Sequence, residues 1–292
     1  MNALKQSNLK IAIQGSGRMT EESEKILHDI GLDYENYKRQ MFATCRTFPA
    51  EVLFVRDDDI PEYVAKGSAD LGIVGGNIVD EMGSDVETLA LLNFAHCNVD
   101  VAVPLASDIK DFKGLQGKRI ATTYANTTKK FLDRAGISAE IIPIKGSVEI
   151  TPLLGVADAI VDIVASGGTL RANGLMSIGT VLASQATLIA NRDALAQPKK
   201  KSQIDRILLR ITSILAARPS KYIMMNAPAS AVDAIKSVLP GMKSTTVIPL
   251  QKPDWVAIHT VTNEEKFWEV MEKLHETGAT DILVVDIEKM IK

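Results

Sequence analysis

The chain of 292 residues lacks the marks of several protein classes. Cysteine occurs only at Cys45 and Cys97, without a CxxC spacing, which indicates neither a disulfide framework nor a zinc site. The sequence contains no GxGxxG fingerprint and no Walker loop, so dinucleotide-binding and NTPase interpretations weaken. No stretch approaches the roughly 18 consecutive apolar residues of a membrane span, so no membrane partner is expected.

An excess of one charge is also absent. The 33 basic and 36 acidic side chains leave a net charge of -3, so nucleic acid is not an expected partner and any phosphate site must be local. The first ten residues lack the apolar core of a secretory leader, and we expect a cytoplasmic protein. A hydrophobic fraction of 46% is typical of a globular enzyme or binding protein of about two domains.

The most informative segment is VDIVASGGTL at 161–170. Asp162 interrupts an apolar strand, where an unpaired carboxylate is costly unless it lies near an exposed end and faces a ligand. Gly167 and Gly168 remove side chains that would keep an anion off the backbone, and a helix opening at Thr169 adds a positive dipole end. The segment predicts a loop that binds a phosphorylated sugar, although an ordinary strand-to-helix turn stays open.

An internal repeat relates 67–71 to 155–159. Each copy follows a strand, a helix, a strand and a helix, and leads into an apolar strand, so both halves are predicted to be βαβαβ lobes. We expect the chain to cross between the lobes near 96–104 and 179–189. Strand-to-helix loops of both lobes should then line one cleft.

The predicted fold class is α/β, with three parts. Lobe I comprises 1–100 and 186–217, and lobe II comprises 101–185 and binds the sugar phosphate. The basic run at 199–201 is expected to be a solvated loop before a helix over 204–217. Residues 218–292 change to the order βαββαβ, a ferredoxin-like arrangement that we interpret as a regulatory or assembly module.

Several motifs along the chain carry a family resemblance. They are IAIQGSGRM at 11–19, VRDDDIP at 55–61, ADLGIVG at 69–75, GKRIAT at 117–122, GSVE at 146–149, ADAIVDIVASGGTL at 157–170 and SKYIMM at 220–225. With this set the chain closely resembles the ATP phosphoribosyltransferases, the first enzymes of histidine biosynthesis, in their long form. The resemblance implies two periplasmic-binding-protein-like (type II) lobes and a ferredoxin-like domain that binds histidine as a feedback inhibitor.

The resemblance also implies the reaction and its catalytic residues. Phosphoribosyl pyrophosphate would donate its phosphoribosyl group to N1 of the adenine of ATP, with Mg²⁺ as cofactor. Glu149 and Asp162 match the family residues near the ribose hydroxyls. Taken alone, Glu149 follows a Gly-Ser turn and can reach the cleft, or it complements a helix dipole. The loop matched to the sugar phosphate is Ala165, Ser166, Gly167, Gly168, Thr169 and Leu170.

Four residues are candidates for binding ATP. Arg18 resembles the family residue that contacts ATP, and Arg56 is expected to face the cleft. Asp70 is either a contact from lobe I or a polar strand start. Tyr124 is a candidate to pack against the adenine, although local packing is an equal alternative.

Two features leave questions about charge open. The acids at 57–59 suit Mg²⁺, but Asp59 before Ile60-Pro61 is also a natural helix cap, which we favour. Many members of the family carry a lysine in the loop matched by 14–17, and this chain has none there. Other cations considered in its place are Lys10, Lys118 and Arg119.

The regulatory prediction names partners and assembly. Met242, Ser244 and Thr246 are the expected contacts of L-histidine, and the resemblance implies a homo-hexamer in exchange with a dimer. The competing interpretation is a cytoplasmic solute-binding or sensor protein, because two-lobed scaffolds bind small anions without chemistry and a fold alone does not decide function. The combination of Asp162 with the loop up to Thr169 favours the enzyme.

Overall fold

The computed structural model describes residues 8–35, 40–165, 167–239 and 245–291. The chain divides into two compact units, 1–206 and 207–292. Within the described ranges, the helices are all too short or too polar to cross a membrane. Ser166, Met242 and Ser244, which were predicted to bind ligands, lie outside these ranges.

Strands and helices alternate through the first unit. Its strands are β1 (Leu9–Gln14), β2 (Phe42–Thr44), β3 (Ala50–Val55), β4 (Leu71–Gly75), β5 (Glu87–Leu91), β6 (Cys97–Pro104), β7 (Arg119–Thr122), β8 (Glu140–Pro143), β9 (Ala159–Val164), β10 (Leu175–Ser184) and β11 (Ala186–Ala190). Its helices are α1 (Thr20–Asp29), α2 (Ile60–Ala65), α3 (Gly76–Met82), α4 (Ala125–Ala135), α5 (Gly168–Ala172), α6 (Arg192–Ala196) and the start of α7 (Pro198–Ala217).

These strands form two sheets with the same core topology. The sheet of lobe I has the order β2-β3-β1-β4-β11-β5, and that of lobe II has the order β10-β6-β9-β7-β8. In lobe I the strands β3, β1 and β4 are parallel, and the antiparallel strand β11 lies beside β4. In lobe II the strands β8, β7 and β9 are parallel, and the antiparallel strand β6 lies beside β9. The predicted repeat of three parallel strands is confirmed in both lobes, but the second helix of the βαβαβ order is present only in lobe I.

The two aspartates of the repeat, Asp70 and Asp158, join strands at the same end of each lobe. The backbone N–H of Lys10 donates to Asp70 Oδ2 at 2.8 Å, and that of Arg119 donates to Asp158 Oδ2 at 2.9 Å. Each carboxylate also has a cation: Lys200 Nζ lies 2.7 Å from Asp70 Oδ1, and Arg119 Nη2 lies 2.9 Å from Asp158 Oδ1. These pairs join the first and third parallel strands at their amino ends, opposite the strand-to-helix loops.

The second of the two helices predicted before the repeat copy at 155–159 was expected over 147–154, and this prediction is wrong. The structure has a short 3-10 turn at Val148–Ile150, and the following residues form turns. Pro152 lacks the N–H that a helix would use, and Gly155 adopts a φ of 69°, so the segment cannot continue as a helix. Leu153 remains 85% exposed as a result.

Two other segments differ from their predictions. The basic run at 199–201 belongs to the first turns of α7, where Lys200 reaches Asp70 and Lys201 pairs with Asp205 one turn later, so it is not a loop. Most of the predicted crossover segments are themselves strands, because β6, β10 and β11 carry the chain into each sheet. The change of sheet falls between β5 and β6 and again at Gln185.

Buried strands supply the core of each lobe. All five residues of β4 and of β11 are buried, as expected for strands whose two faces are both covered. In lobe II, alternate residues of β9 divide between the two faces: Val161 packs with Ile120 and Leu132, whereas Ile160 packs with Leu170. Asp162 therefore extends from the face that also carries the α5 loop.

The second unit has the predicted order of elements. They are β12 (Ser220–Pro228), α8 (Val232–Val238), β13 (Thr246–Pro249), β14 (Trp255–Asn263), α9 (Phe267–Glu276) and β15 (Thr280–Asp286). The strands form an antiparallel sheet in the order β13-β14-β12-β15. Alternate residues of β12 and β14 are buried, so one face packs against Ile235 of α8 and Val270 of α9.

Candidate active site

The candidate site lies where loops at the carboxyl ends of parallel strands from both lobes come together. Asn77, in the first turn of α3, donates from Nδ2 to the hydroxyl of Tyr124, which follows β7, at 2.9 Å. Asn77 also donates its N–H to Ser184 Oγ at 2.8 Å, at the end of β10. The end of lobe I, the second crossover and the end of lobe II therefore meet at one polar cluster.

The loop after β1 is held by its own glutamine. Gln14 is 8% exposed, and its Oε1 accepts the N–H of Met19 at 3.0 Å. Gly17 has a φ of 136°, and a Cβ there would lie 2.5 Å from Gln14 Nε2, so only glycine fits. This tight loop presents the exposed side chain of Arg18.

Arg18 lies near enough to the start of lobe II for its charge to act on Cys97. Burial raises the pKa of the Cys97 thiol, and the charge of Arg18 and a hydrogen bond from Ser184 oppose that rise. Cys97 is the first residue of β6, so Arg18 is near the first crossover between the lobes. Its predicted contact with ATP stays a prediction that this placement favours.

The cations considered in place of the missing lysine lie elsewhere. Lys10 and Arg119 stand at the amino ends of β1 and β7, where their backbone groups hold Asp70 and Asp158, and Lys118 directly precedes β7. The loop after β1 lies at the carboxyl end of that strand, opposite to Lys10, and Lys118 and Arg119 belong to the other lobe. These three residues therefore do not replace the lysine.

The acidic turn after β3 does not act as predicted. Asp57–Asp59 forms a 3-10 turn, and Asp59 occupies the N-cap of α2 without making a side-chain capping bond, so its predicted capping role is wrong. Burial raises the pKa of the Asp58 carboxyl. The charges of Asp57 and Asp59 raise this pKa further, and the charge of Arg56 lowers it. Across the described residues, no group of three or more acidic, histidine or cysteine side chains is suited to hold a metal ion.

Tyr124 lies where lobe II contacts Asn77 of lobe I. Its N–H donates to Thr122 Oγ1 at 2.8 Å, and its ring packs in part against the core of lobe II. Burial raises its pKa to about 12, and the charges of Asp162 and Asp58 add to the rise. The structure therefore shows local packing of this residue, and its contact with adenine stays a prediction.

Asp162 and Glu149 form an acidic pair in lobe II. Asp162 is half-buried, and its Oδ1 accepts the N–H of Ile163 at 2.8 Å. Burial raises the pKa of the Asp162 carboxyl, and the charge of Glu149 raises it further. In the described part of the chain, no lysine or arginine forms an ion pair with Asp162. A carboxylate held at such a cost in a cleft is a functional candidate.

The predicted phosphate loop turns sharply at Gly167. This residue has a φ of 70° and caps α5, which begins at Gly168, one residue before the predicted start. Ala165 and Thr169 are exposed, whereas Leu170 is 6% exposed and packs in the lobe II core. The side chain of Leu170 therefore anchors the loop, and only the backbone of Leu170 is available to contact a ligand.

The sequence did not predict the role of Arg171. Its Nη1 lies 3.1 Å from the position that a Cβ on residue 167 would occupy, so a guanidinium stands beside the loop. Its position in the last turn of a short helix was the available signal. Asn77 and Ser184 were also missed, because neither residue type marks a contact between distant segments.

Asp70 is the ATP-binding candidate that the structure does not bring to the cleft. Its carboxylate is engaged by Lys10 and Lys200 at the amino end of β4. The strand-start alternative therefore accounts for this residue, as it does for Asp158 in the repeat. Of the predicted histidine contacts, Thr246 lies exposed at the start of β13, opposite His259.

Comparisons with known proteins agree with these features. The ATP phosphoribosyltransferase family model matches residues 56–213, and the model of the C-terminal domain of that family matches 217–289. ATP phosphoribosyltransferases from Phocaeicola vulgatus and Cytophaga hutchinsonii are each 44% identical to this chain, covering 97% of it and 99% of their own length.

A solved structure extends the comparison. It is the ATP phosphoribosyl transferase (HisG:HisZ) complex from Thermotoga maritima, with a TM-score of 0.60 and 27% identity, covering 70% of this chain and 96% of that one. The match to two consecutive family models and to full-length relatives gives the same answer as the motifs. The chain belongs to the long-form ATP phosphoribosyltransferase family of pentosyltransferases that act in histidine biosynthesis.

Proposed function

We propose that this chain transfers the phosphoribosyl group of phosphoribosyl pyrophosphate to N1 of the adenine of ATP and releases pyrophosphate, as the first step of L-histidine synthesis. The observation that carries the proposal is the half-buried Asp162 with Glu149 beside it, on the face of lobe II that ends in the Gly167-Gly168 turn. An acid pair next to an anion-binding turn suits a phosphorylated sugar.

The acid pair suits the charge that develops during the transfer. As the bond from C1 of the ribose to pyrophosphate breaks, positive charge builds on the sugar ring, and N1 of adenine forms the new bond. Asp162 and Glu149 would hold the ribose hydroxyls and stabilise that charge in place. Burial supports this role because a preorganised carboxylate acts more strongly where water is scarce. The reaction needs no covalent nucleophile.

The loop after β9 would hold the terminal phosphate of the sugar. The left-handed turn at Gly167 and the amides that open α5 are donors to an anion, and Arg171 adds a positive charge beside them. Thr169 contributes a hydroxyl. The loop thereby fixes one end of the sugar while the acid pair addresses its ring.

ATP would bind between the loops of lobe I and Tyr124 of lobe II. Arg18 and Arg56 are exposed cations after β1 and β3, suited to the triphosphate, and the ring of Tyr124 offers a flat face to adenine. Holding the two substrates together supplies much of the catalysis, because it makes the transfer effectively unimolecular.

The proposed cofactor is Mg²⁺, as an ion that accompanies the pyrophosphate. Magnesium in such sites is commonly held by substrate phosphates and one or two carboxylates, so it does not require a larger cluster of protein ligands, and none is found among the described residues. Asp162 and Glu149 would be the carboxylates available to it. When bound, the ion would neutralise charge on the departing pyrophosphate.

The topology supports the wider assignments. In both lobes the first parallel strand lies between the second and the third, and an antiparallel strand lies beside the third, which supports the periplasmic-binding-protein-like, type II assignment. The strand order β13-β14-β12-β15 supports the ferredoxin-like assignment of the second unit. We assign feedback inhibition by histidine to the latter, with Thr246 among its contacts. The expected assembly is a homo-hexamer in exchange with a dimer, in the cytoplasm.

One assay separates this enzyme from a solute-binding protein. Purified chain is incubated with ATP, phosphoribosyl pyrophosphate and Mg²⁺, and the nucleotides are examined by mass spectrometry. A nucleotide that carries an added ribosyl phosphate, formed with one pyrophosphate per turnover, is expected. Binding of either substrate without this product would favour the sensor alternative and refute the proposed reaction.

A further inference from the structure

The amino end of α4 in lobe II is capped by a side chain of lobe I. Tyr124 occupies the N-cap position, but its side chain makes no capping bond. Instead, the N–H groups of Asn126 and Thr127 donate to Glu81 Oε1 at 2.9 Å and to Glu81 Oε2 at 2.8 Å. These are the donors that a local Ser or Asp ordinarily satisfies, so the start of α4 depends on the other lobe.

The contact is reciprocal at the carboxyl end of α3. The backbone carbonyl of Glu81 accepts a hydrogen bond from Asn126 Nδ2 at 2.9 Å, and that of Asp80 accepts one from Lys130 Nζ at 3.1 Å. Carbonyls in the last turn of a helix have no donor within that helix, so they need partners from elsewhere. The charge of Lys130 stabilises the negative end of the α3 dipole, and the charge of Glu81 stabilises the positive end of the α4 dipole. The two helices therefore meet head to tail across the cleft.

The other end of α3 holds the same segment of lobe II. Asn77 is 4% exposed, and its Nδ2 donates to the Tyr124 hydroxyl, while its Oδ1 accepts from Ser184 Oγ at 3.1 Å. The backbone amides of Asn126 and Thr127 are thus held by Glu81, and the hydroxyl of Tyr124, which precedes α4, is held by Asn77. A single short helix of lobe I sets both the position of Tyr124 and the direction of its side chain.

We propose that Glu81 is a positioning residue of the ATP site, which fixes the first turn of α4 and thereby holds the ring of Tyr124 where adenine binds. The inference rests on the proposed contact of Tyr124 with ATP. A carboxylate is required because two oxygens accept two amides at once, whereas a glutamine offers one oxygen and sets its own N–H₂ against the second amide.

The test uses Glu81→Gln in the full chain. Amide hydrogen exchange across 124–128 should quicken, because the amides of Asn126 and Thr127 lose a charged acceptor. The KM for ATP should rise about tenfold or more, the scale of one charge-assisted hydrogen bond. The KM for phosphoribosyl pyrophosphate and kcat should change less than about twofold. Glu81→Asp, which keeps two oxygens, should recover part of the loss.

The matched control is Glu62→Gln on α2, a glutamate of the same lobe that pairs with Lys66 of its own helix. It should change neither exchange at 124–128 nor the KM for ATP. Unchanged exchange in Glu81→Gln, or equal shifts in the KM of both substrates, would overturn the proposal. If Tyr124→Ala left the KM for ATP unchanged while exchange still responded to Glu81→Gln, the ATP role of Tyr124 would fail even though the helix contact exists.

Discussion

At the scale of single residues, the same side-chain type has opposite uses in this chain. Asp70 and Asp158 are each matched by a cation and a backbone N–H, so they join strands at little cost. Asp162 has a backbone N–H from Ile163 and an acidic neighbour, so its charge is expensive. The first two therefore stabilise the fold, and the third is the candidate for catalysis.

Asp162→Asn should slow turnover by on the order of 10²-fold or more, because it removes a preorganised charge from the side of the developing cation. Steady-state kinetics with both substrates at saturation measure the effect. The asparagine is nearly isosteric with the aspartate, and circular dichroism is the control that tests whether the variant folds. A turnover within about twofold of the parent would remove Asp162 from the mechanism.

The same variant should be more stable than the parent at neutral pH. Because the pKa of Asp162 is raised in the folded state, that state binds its proton more tightly than the unfolded chain does, and the parent loses stability as the pH rises through the interval between the two pKa values. The advantage of Asp162→Asn should therefore be full above the raised pKa and vanish near the unfolded value of about 3.9. Thermal melts from pH 4 to pH 8 give the comparison.

Lys200→Ala should destabilise the first unit without affecting ATP binding. It leaves the buried Asp70 carboxylate without its cation, at a cost of about 2–3 kcal/mol, reduced from the fully buried case because the Lys200 side chain is 28% exposed. The neighbouring Lys201→Ala breaks only an exposed pair with Asp205 and should cost less than about 1 kcal/mol. Urea denaturation measures both, and a large rise in the KM for ATP in Lys200→Ala alone would contradict a purely structural role of the pair.

At the scale of elements, short helices carry the site. α3 and α5 have seven and five residues, too few to be stable alone, and each is held by tertiary contacts at its ends. Leu170 secures α5 in the core of lobe II, and Glu81 secures α3 to α4. Their backbone ends can consequently face a cleft without fraying.

Gly168→Val should weaken binding of phosphoribosyl pyrophosphate about tenfold or more, because the branched side chain enters the space where the phosphate would meet the backbone amides. Calorimetry measures the affinity. Ala172→Val places the same branched side chain at the exposed far end of α5 and should leave binding unchanged. Equal affinities in the two variants would contradict the assignment of this loop.

At the scale of the whole molecule, the two compact units divide the work. The first contains the cleft and the acid pair, and the second contributes a sheet with one buried face and no acid pair of this kind in its described ranges. The second unit matches the C-terminal domain of the family, the part to which we assign the proposed regulation. The proposal predicts that inhibition by histidine is separable from catalysis.

Removal of residues 220–292 should abolish inhibition by histidine while the remaining protein still binds ATP. Product formation is measured with and without histidine, and calorimetry reports histidine binding to the full chain and to the shortened one. A melting transition establishes that the shortened chain is folded. A folded, active remainder that histidine still inhibits would contradict the regulatory assignment.

Most element types were predictable, and some end points were not. Strands such as β4 and β11 are continuous apolar runs, and α4 and α9 have strong 3.6-residue patterns, so local sequence decides them. The helix expected after Ser147 failed because Pro152 and Gly155 outweigh the apolar pattern. The loop expected at 199–201 failed because charges are common in the first turns of a helix that pairs them with acids.

The sequence by itself determined the two repeated lobes, the order of the C-terminal unit, the family, and the segment with Asp162 and the glycine turn. These follow from periodicity, turn residues and motifs, all of which are local. Only the tertiary structure decided that Asp70 pairs with Lys200 at the amino end of β4, away from the cleft. It also decided that Glu81 and Asn77 contact the start of α4. Those pairs lie 45 or more positions apart, and the distance between such residues depends on how the strands are ordered.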